Sequence, residues 1–322
     1  EMLKAETEDQ VLDTIKWAAA EKKPLEVRGT GSKSMLGRPT ELDHVLDLSA
    51  LSGVSFYEPA ELVVSAGPAT PVAEVEALLN DHNQQMAFEP PDLGPLLGNP
   101  VGGGTLGGLL ACNLAGPRRI KAGSARDHFL GFTAVSGRGE MFKSGGRVVK
   151  NVTGFDLSKL MAGSYGTLAA MTEVTVKVLP APEKTRTVLV NWAKDGIYDH
   201  DGTKAMTEAL ASPHEVSGAA HLPAAVARRS AVDYVAGGGR AVTAIRVEGP
   251  EPSVAHRCEA LRTLLAPLGE TEELHTENSQ TLWREIRDAI YLAADQERHI
   301  WRLSVPPTEG SRVALQILEG RP

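Results

Sequence analysis

The first half of the chain combines two hydrophobic periodicities. Thr7 and Gln10 have the spacing of a capping box, and the 3.6-residue apolar period that follows predicts a helix ending at Pro24. Pro71 stands where the first turn of a second helix tolerates proline, and that helix is expected to end near Asn80. Strands are predicted at 25–27, 45–48, 62–66, 129–135, 145–150 and 168–179, with a short helix over 155–161.

The second half has a different pattern of hydrophobic and polar positions. Pro180 and Pro182 break the last strand, so we predict domains at 1–179 and 180–322, the second a separate α+β unit. Because Gly320-Arg321-Pro322 follows a helix-like run so closely, we expect this unit to be incomplete at its C-terminus. Its predicted helices are 204–211, 253–265 and 278–294, its strands 242–247 and 300–305, and its core residues Leu282, Trp283, Ile286, Ile290 and Trp301.

Composition excludes several classes of protein. The chain has 322 residues and a formal charge of −8 without a basic run, which argues against a nucleic-acid binder. Its apolar stretches are far shorter than the roughly 20 residues that cross a bilayer, and no export signal is visible. Cys112 and Cys258 form no zinc or CxxC spacing, so we expect no metal site and a reducing, cytoplasmic environment.

The segment that follows the strand at 25–27 is suited to binding an anion. It reads Arg28-Gly29-Thr30-Gly31-Ser32-Lys33-Ser34. Glycines allow consecutive backbone N–H groups to converge on one anion, and the hydroxyls and the Lys33 ammonium add donors for phosphate oxygens. An ordinary surface turn remains the alternative for this segment alone, and the Walker A spacing is absent.

A second glycine-rich segment, 98–108, contains a formal GxGxxG at Gly102, Gly104 and Gly107. A dinucleotide fingerprint of the Rossmann type requires a strand directly before these glycines. The preceding residues 90–95 include three prolines and cannot form a central strand, so we reject an NAD site. A loop laid along a large planar cofactor explains the glycines better.

A third segment, 154–168, contains Gly154, Gly163 and Gly166 around a short apolar helix. Alone, it predicts no more than a helix end and a turn. Its significance comes from order, because three small-residue loops, each tied to a strand, precede residue 178. One nucleotide-sized ligand contacted by all three loops would account for them.

These motifs resemble the flavoproteins whose FAD domain is named after p-cresol methylhydroxylase and vanillyl-alcohol oxidase. The resemblance spans residues 5–180, and within the family the chain is similar to the FAD-binding subunits of bacterial glycolate oxidases (glycolate dehydrogenases) through 116–119, 150–156 and 301–307. It implies an α+β fold, in which a two-subdomain FAD-binding domain precedes an α+β cap domain. The matching residues are 28–32, Pro91, Asp92, 104–108, Asn113, Gly116, 154–157 and 163–168.

The resemblance also implies which residues bind FAD. The loop at 28–34 would hold the pyrophosphate, 104–108 would line the pyrophosphate and flavin, and Asn113 and Gly116 would run close to the isoalloxazine ring. The implied cofactor residues are Arg28, Gly29, Thr30, Gly31, Ser32, Lys33, Ser34, Pro91, Asp92, Gly104, Thr105, Gly107, Gly108, Asn113, Gly116, Gly166, Thr167 and Met171.

Three departures from the family pattern bear on this expectation. Ser32 stands where some relatives attach the flavin covalently through a His, so we expect non-covalent FAD. Tyr165 replaces a Glu that many relatives carry in the third loop. The His-x-Gly-Asp-Gly-Asn-x-His stretch of relatives that oxidise 2-hydroxy acids is absent, and His214 and His221 are a weak substitute, so no catalytic base is nominated.

The resemblance implies an enzyme that oxidises glycolate, or a related small 2-hydroxy acid, to glyoxylate. It also implies a complex with a sister flavin subunit and an iron–sulfur subunit, either cytoplasmic or peripheral on the inner membrane through those partners. One alternative is an electron-relay or structural subunit, with the substrate oxidised on the sister subunit, and another is a stand-alone flavin reductase or sugar-nucleotide oxidoreductase with the same FAD domain. Arg118, Arg119 and Lys121 could attract a carboxylate substrate, contact a partner subunit or form a solvated turn.

Overall fold

The computed structural model describes residues 1–38, 40–147, 154–192, 200–294 and 297–320. Helices and strands follow one another along these residues without a regular order, so the protein belongs to the mixed α and β class. The helices are α1 (Glu8–Glu21), α2 (Val72–Asn80), α3 (Leu106–Ala111), α4 (Arg119–Ala122), α5 (Ala125–His128), α6 (Leu157–Met161), α7 (His200–Ala211), α8 (Ala224–Ala227), α9 (Asp233–Ala236), α10 (Glu251–Leu265), α11 (Thr276–Asp288) and α12 (Gly310–Leu318).

The strands form four sheets in the described part of the chain. In chain order they are β1 (Met2–Lys4), β2 (Leu25–Arg28), β3 (His44–Asp47), β4 (Val54–Glu58), β5 (Val63–Ala66), β6 (Gln84–Gln85), β7 (Phe129–Ser136), β8 (Met141–Gly145), β9 (Ala169–Lys177), β10 (Leu179–Pro180), β11 (Lys184–Asn191), β12 (Gly218–Leu222), β13 (Val242–Gly249) and β14 (Glu270–Leu274).

The chain divides into two compact units by its internal contacts. The first contains Glu1–Gly116 and Gly123–Ala181, and the second contains Pro117–Ala122 and Pro182–Pro322. The short segment 117–122 therefore belongs to the second unit, although the sequence on both sides of it lies in the first. None of the described helices combines the length and the apolar composition that crossing a bilayer requires.

The first unit contains a parallel sheet of order β1-β3-β2 and an antiparallel sheet of order β4-β5-β9-β7-β8. The Thr7 hydroxyl accepts a hydrogen bond from the Gln10 amide at 3.3 Å, so α1 begins as its sequence predicts, and it buries Val11 and Ile15 in a core shared with Leu46 of β3. The larger sheet buries the apolar face of α3, made by Leu106, Leu109 and Leu110.

Parallel pairing in the smaller sheet positions the first glycine loop. β2 and β3 pair in register from Leu25 opposite His44 to Arg28 opposite Asp47. Because the strands are parallel, their carboxyl ends meet at one edge of the sheet, where small ligands commonly bind in α/β sheets. The loop that begins at Gly29 therefore leaves the sheet at this edge.

The second unit contains an antiparallel sheet of order β12-β13-β11-β14. Strand alternation sends successive side chains to opposite faces. Val188 and Ile245 accordingly pack in a core with α7 and α10, whereas Leu189 and Ala244 pack in another with Trp283 of α11. Both faces of this sheet are buried.

Two sequence predictions about these elements are wrong, and a third falls partly outside the described residues. The strand expected at 145–150 includes 148–150, which lie outside the described residues, while Gly146 and Arg147 belong to no strand. The observed strand is Met141–Gly145, because the tight turn after Ser136, closed by its amide and the Glu140 carbonyl at 2.9 Å, starts the return strand at once. Residues 300–305 form no strand, since no described strand pairs with them. Trp301 is 82% exposed and Ile290 43% exposed, so neither belongs to the core.

Candidate cofactor site

A cavity of about 400 Å³ opens within the first unit. Three segments line it: the end of β2 with its loop, the first turns of α3, and the segment entering β9. Its size falls within the range of small-molecule sites. The residues predicted from sequence that line it are Arg28, Gly29, Thr30, Gly31, Ser32, Lys33, Ser34, Thr105, Gly107, Gly108, Gly166, Thr167 and Met171.

The first loop is fastened to the second by side-chain hydrogen bonds. The Thr30 hydroxyl donates to the Gly103 carbonyl, and the Asn99 amide donates to the Ser32 carbonyl at 3.1 Å. Gly31 adopts a φ of +75°, a left-handed conformation that favours glycine. Two glycine loops that are far apart in sequence thus form one wall of the cavity.

Thr105 organises the start of α3 beside this wall. Its hydroxyl caps the helix by accepting the Gly108 amide at 3.3 Å. A Cβ added at Gly29 would lie 3.3 Å from the same hydroxyl oxygen, and one added at Gly107 would lie 2.6 Å from Pro68 Cβ. Close packing between the protein's own loops therefore requires glycine at Gly107 whatever the cavity holds.

The third loop is joined to α3 by its backbone. The Tyr165 amide donates to the Ala111 carbonyl at 2.9 Å, and Tyr165 itself has a left-handed φ of +55°. Gly166 follows with a φ of +74°, and the Thr167 hydroxyl closes the turn on the Ser164 carbonyl at 2.6 Å. These bonds fix the position of Tyr165, which also lines the cavity.

Five residues implied by the resemblance lie outside the cavity lining: Pro91, Asp92, Gly104, Asn113 and Gly116. Asp92 shapes the second loop by accepting the Gly94 and Gly102 amides at 3.0 and 2.7 Å. Asn113 accepts the Arg126 amide at 2.9 Å, and the Gly116 amide bonds to the Phe88 carbonyl at 3.0 Å. The described hydrogen bonds of Asp92, Asn113 and Gly116 are therefore to other parts of the protein.

The cavity is positively charged in an acidic chain. Arg28, Lys33 and Arg38 line it together with one carboxylate, Glu26, which gives a net formal charge of +2 in a chain of −8. Desolvation by burial lowers the pKa of Lys33, against smaller opposing effects from Cys112 and Asp92. The walls therefore favour an anionic ligand.

Sequence reasoning missed Glu26 and Cys112 as lining residues. Glu26 and Arg28 are two residues apart on a strand, a spacing that places both side chains on one face, and Arg28 donates two hydrogen bonds of 2.9 Å to the Glu26 carboxylate. Burial raises the pKa of the Cys112 thiol, and the Lys33 charge opposes that shift. The other lining residues outside the predicted cofactor set are Leu25, Val27, Leu36, Arg38, Thr40, Leu42, Leu48, Pro68, Ala69, Ala111, Ala169 and Tyr165, the last of which the sequence placed in the third loop.

The candidate residues of the second unit have structural partners. Arg118 binds Glu248 through two hydrogen bonds of 2.9 and 3.0 Å, so it is not part of a solvated turn. His221 Nδ1 lies 2.8 Å from the Thr243 hydroxyl, and the His214 carbonyl accepts from Arg257 at 3.3 Å. The motif at 150–153, which includes a glycosylation sequon, lies outside the described residues.

Comparison with known proteins places these features in a family. A family described as an FAD binding domain matches residues 2–145. The chain is 34% identical over 296 residues to the glycolate oxidase subunit GlcE of Escherichia coli, covering 92% of this chain and 73% of that one. It is 29% identical over 182 residues to the glycolate oxidase subunit GlcD of Bacillus subtilis, covering 56% of this chain and 37% of that one.

A solved structure shares the fold. Alkyldihydroxyacetonephosphate synthase superposes with a TM-score of 0.68 at 17% identity, covering 90% of this chain and 54% of that one. Identity at that level shows the fold alone. The sequence relationship to GlcE goes further, because it extends through both units of the chain. This protein therefore belongs to the family of FAD-linked oxidoreductases that includes the glycolate oxidase subunit GlcE, and FAD is its cofactor.

Proposed function

We propose that this chain is the FAD-binding subunit of a complex that oxidises glycolate, or a related small 2-hydroxy acid, to glyoxylate. Its similarity to GlcE over 92% of its length supports this assignment. In this proposal residues 1–179 are a two-subdomain FAD-binding domain and residues 180–322 are an α+β cap domain.

The observation that carries the proposal is the cationic cavity between glycine loops. The fit of FAD to the residues present rests on three features: backbone amides of 29–33 at the end of a parallel strand, hydroxyls of Thr30 and Ser32, and the half-buried ammonium of Lys33. Such donors suit the two negative charges of a diphosphate. Apolar lining from Leu25, Leu36, Leu42 and Leu48 offers surface for the uncharged parts.

These features indicate what the cofactor and the protein would each contribute to the reaction. FAD, when bound in this cavity, would supply the redox chemistry for oxidising the alcohol carbon of the substrate. The chain's own residues would bind and orient the cofactor. The loop at 28–34 would hold the pyrophosphate, and the turn capped by Thr105 would line the pyrophosphate and the flavin. Ser32 provides a hydroxyl, not a histidine nitrogen, so we expect non-covalent FAD at this loop.

The proposed partners are a sister flavin subunit and an iron–sulfur subunit. Two relatives, GlcE and GlcD, are each named as a subunit of glycolate oxidase, which supports a multi-subunit assembly. Both cysteines of this chain are free thiols, which suits a cytoplasmic location, with membrane association through partners.

One observation favours the relay alternative for the chemical step. Arg118, the cation that the sequence offered for a substrate carboxylate, is bound to Glu248 by two hydrogen bonds of 2.9 and 3.0 Å. In this alternative the chain holds FAD and passes electrons, while the sister subunit oxidises glycolate. Both candidates require FAD in the same cavity.

The experiment is an anaerobic titration of the FAD-reconstituted chain with glycolate, followed by the visible flavin band. Bleaching of the isolated chain assigns substrate oxidation to it, and bleaching only after the sister subunit is added assigns a relay role. A chain that retains no flavin after desalting, or a complex whose flavins glycolate does not reduce, contradicts the proposed function. Lactate in place of glycolate tests the substrate class.

A further inference from the structure

We infer that segment 299–305 of one copy of this chain pairs as a strand with the open edge of β14 in a second copy, and that the reciprocal pairing completes a symmetric dimer. Both surfaces belong to the second unit. The inference goes beyond the proposed function and does not depend on it, because neither surface lines the cofactor cavity.

Segment 299–305 exposes large apolar side chains. Trp301, Leu303 and Val305 are 82%, 56% and 38% exposed. No described residue forms a hydrogen bond with the backbone of this segment. Exposed apolar side chains that follow one another closely mark interaction sites, and Trp is enriched among the residues that contribute most to binding at an interface. The segment therefore has the properties of a binding strand whose partner is another molecule.

The order of its side chains suits pairing with a sheet. Paired as a strand, the segment places Trp301, Leu303 and Val305 on one face and Arg302 on the other. Extended peptides of this kind bind by adding a strand to an exposed sheet edge, where main-chain hydrogen bonds supply affinity and alternate side chains supply specificity.

The second unit has an open sheet edge at β14. In the order β12-β13-β11-β14, the two edge strands of the described sheet are β12 and β14. α4 packs beside β12, whereas no described residue outside β11 forms a hydrogen bond with the backbone of β14. An edge strand presents a row of unpaired N–H and C=O groups to any extended chain that reaches it.

Charge favours β14 over β12 as the partner of this segment. β14 contains Glu270, Glu272 and Glu273, whereas the only titratable residue of β12 is His221. Neither the Glu272 carboxylate nor the Arg302 guanidinium of the segment has an ion pair among the described residues. Opposite charges that face each other across two strands stabilise the pairing. Arg302 and Glu272 are therefore complementary in charge.

The same pairing places the apolar face of the segment against the protein. Glu272 lies opposite Leu189, which packs on the side of the sheet that α11 covers. A strand that sets Arg302 beside Glu272 on that side turns Trp301 to the other side. There α10 packs against β14 and leaves Leu264 37% exposed.

A second copy supplies both missing partners at once. Each chain carries an unpaired segment and an open edge, and the two do not pair with each other within the chain. When two copies exchange their segments, each edge gains a strand and each segment gains a sheet. An interface in which the same two surfaces meet twice is the isologous contact of a two-fold symmetric dimer.

The first test is sedimentation velocity of the full chain, with FAD present, over a dilution series. The wild-type chain should dimerise, and Trp301→Ser should weaken the dimer by at least about 30-fold, the effect of losing a central aromatic side chain. Tyr234→Ser is the matched control, because Tyr234 is a 66% exposed aromatic residue on α9 of the same unit. It should leave dimerisation unchanged, and both variants should keep the melting temperature of the wild type.

Charge reversal identifies the two surfaces that meet. Arg302→Glu and Glu272→Arg each place like charges at both strand pairs of a dimer, so each variant alone should be monomeric. A mixture of the two variants has opposite charges at both pairs, and it should form dimers that contain one copy of each. Pairing of the segment with β14 of its own chain cannot give this result.

Three outcomes overturn the inference. A wild-type chain that stays monomeric at every concentration contradicts it, including the case in which a sister subunit binds segment 299–305 of that monomer. Unchanged dimerisation of Trp301→Ser, or of either charge variant alone, would place the interface elsewhere. A mixture of Arg302→Glu and Glu272→Arg that stays monomeric would show that the segment and β14 do not meet.

Discussion

Arg118 and Glu248, 130 residues apart in sequence, are joined by two hydrogen bonds of 2.9 and 3.0 Å. Glu248 also lies 3.7 Å from the guanidinium of Arg246, whose side chain is 1% exposed. This pairing attaches segment 117–122, which directly follows Gly116, to β13 of the second unit. Arg118, which the sequence offers as a substrate-binding group, thus has a structural partner within the second unit.

We expect Glu248→Gln to destabilise the second unit by about 3 kcal/mol, because it leaves the buried guanidinium groups without their counter-charge. Urea unfolding followed by circular dichroism measures the change. Glu215→Gln is the matched control, since the Glu215 side chain is 66% exposed and its pair with Lys121 spans 3.2 Å. An exposed pair contributes under about 1 kcal/mol. Equal effects of both variants would contradict this account of the buried pair.

The same carboxylate predicts a pH dependence. Burial raises the pKa of Glu248, but the hydrogen bonds and charges of Arg118 and Arg246 outweigh that effect and lower it from 4.5 to about 2. Its stabilisation is therefore fully present above pH 4.5 and is lost as the pH falls towards 2. The stability difference between wild type and Glu248→Gln, measured by urea unfolding at pH 7 and pH 3, should shrink at the lower pH. If the stability difference were the same at both pH values, the contacts with Arg118 and Arg246 would not be lowering the pKa of Glu248.

Two glycines of the second loop should respond differently to alanine. A Cβ at Gly107 would lie 2.6 Å from Pro68 Cβ and 2.8 Å from its carbonyl oxygen, so Gly107→Ala should destabilise the cofactor-free protein by about 1–3 kcal/mol. A Cβ at Gly104 would meet only Val72 Cγ2, at 3.7 Å, an ordinary contact. Gly104→Ala should therefore leave the melting temperature unchanged, and a fall equal to that of Gly107→Ala would refute the loop packing.

Ser32 at the first loop predicts flavin that is released on denaturation. Ser32 lines the cavity and is buried. After acid precipitation of the reconstituted protein, all flavin absorbance should appear in the supernatant. Absorbance that stays with the pellet would show covalent attachment through another residue.

Local sequence patterns predicted the elements whose signals are local. The capping spacing at Thr7 and the glycine run at 29–34 depend on neighbours in the chain, and the structure has a helix at the first and a cavity wall at the second. β14 was missed because Glu270–Leu274 contains four polar residues and one apolar residue, and only its pairing with β11 makes it a strand.

Long-range pairing explains the remaining differences. The alternation at 300–305 resembles a strand, yet no described strand supplies hydrogen bonds to it. The partner of Arg118 is 130 residues away, and no spacing in the sequence indicates it. The pairing of Glu26 with Arg28 could have been predicted from the sequence, because residues i and i+2 of a strand lie side by side on one face.

The central claim, that FAD binds between the three small-residue loops of the first unit, is tested most directly by amide hydrogen exchange with and without FAD. The account predicts slower exchange on FAD binding in peptides covering 28–34, 105–112 and 165–171, with little change in β11 and β13 of the second unit. Unchanged exchange in those three segments, with protection elsewhere in the chain, would contradict it.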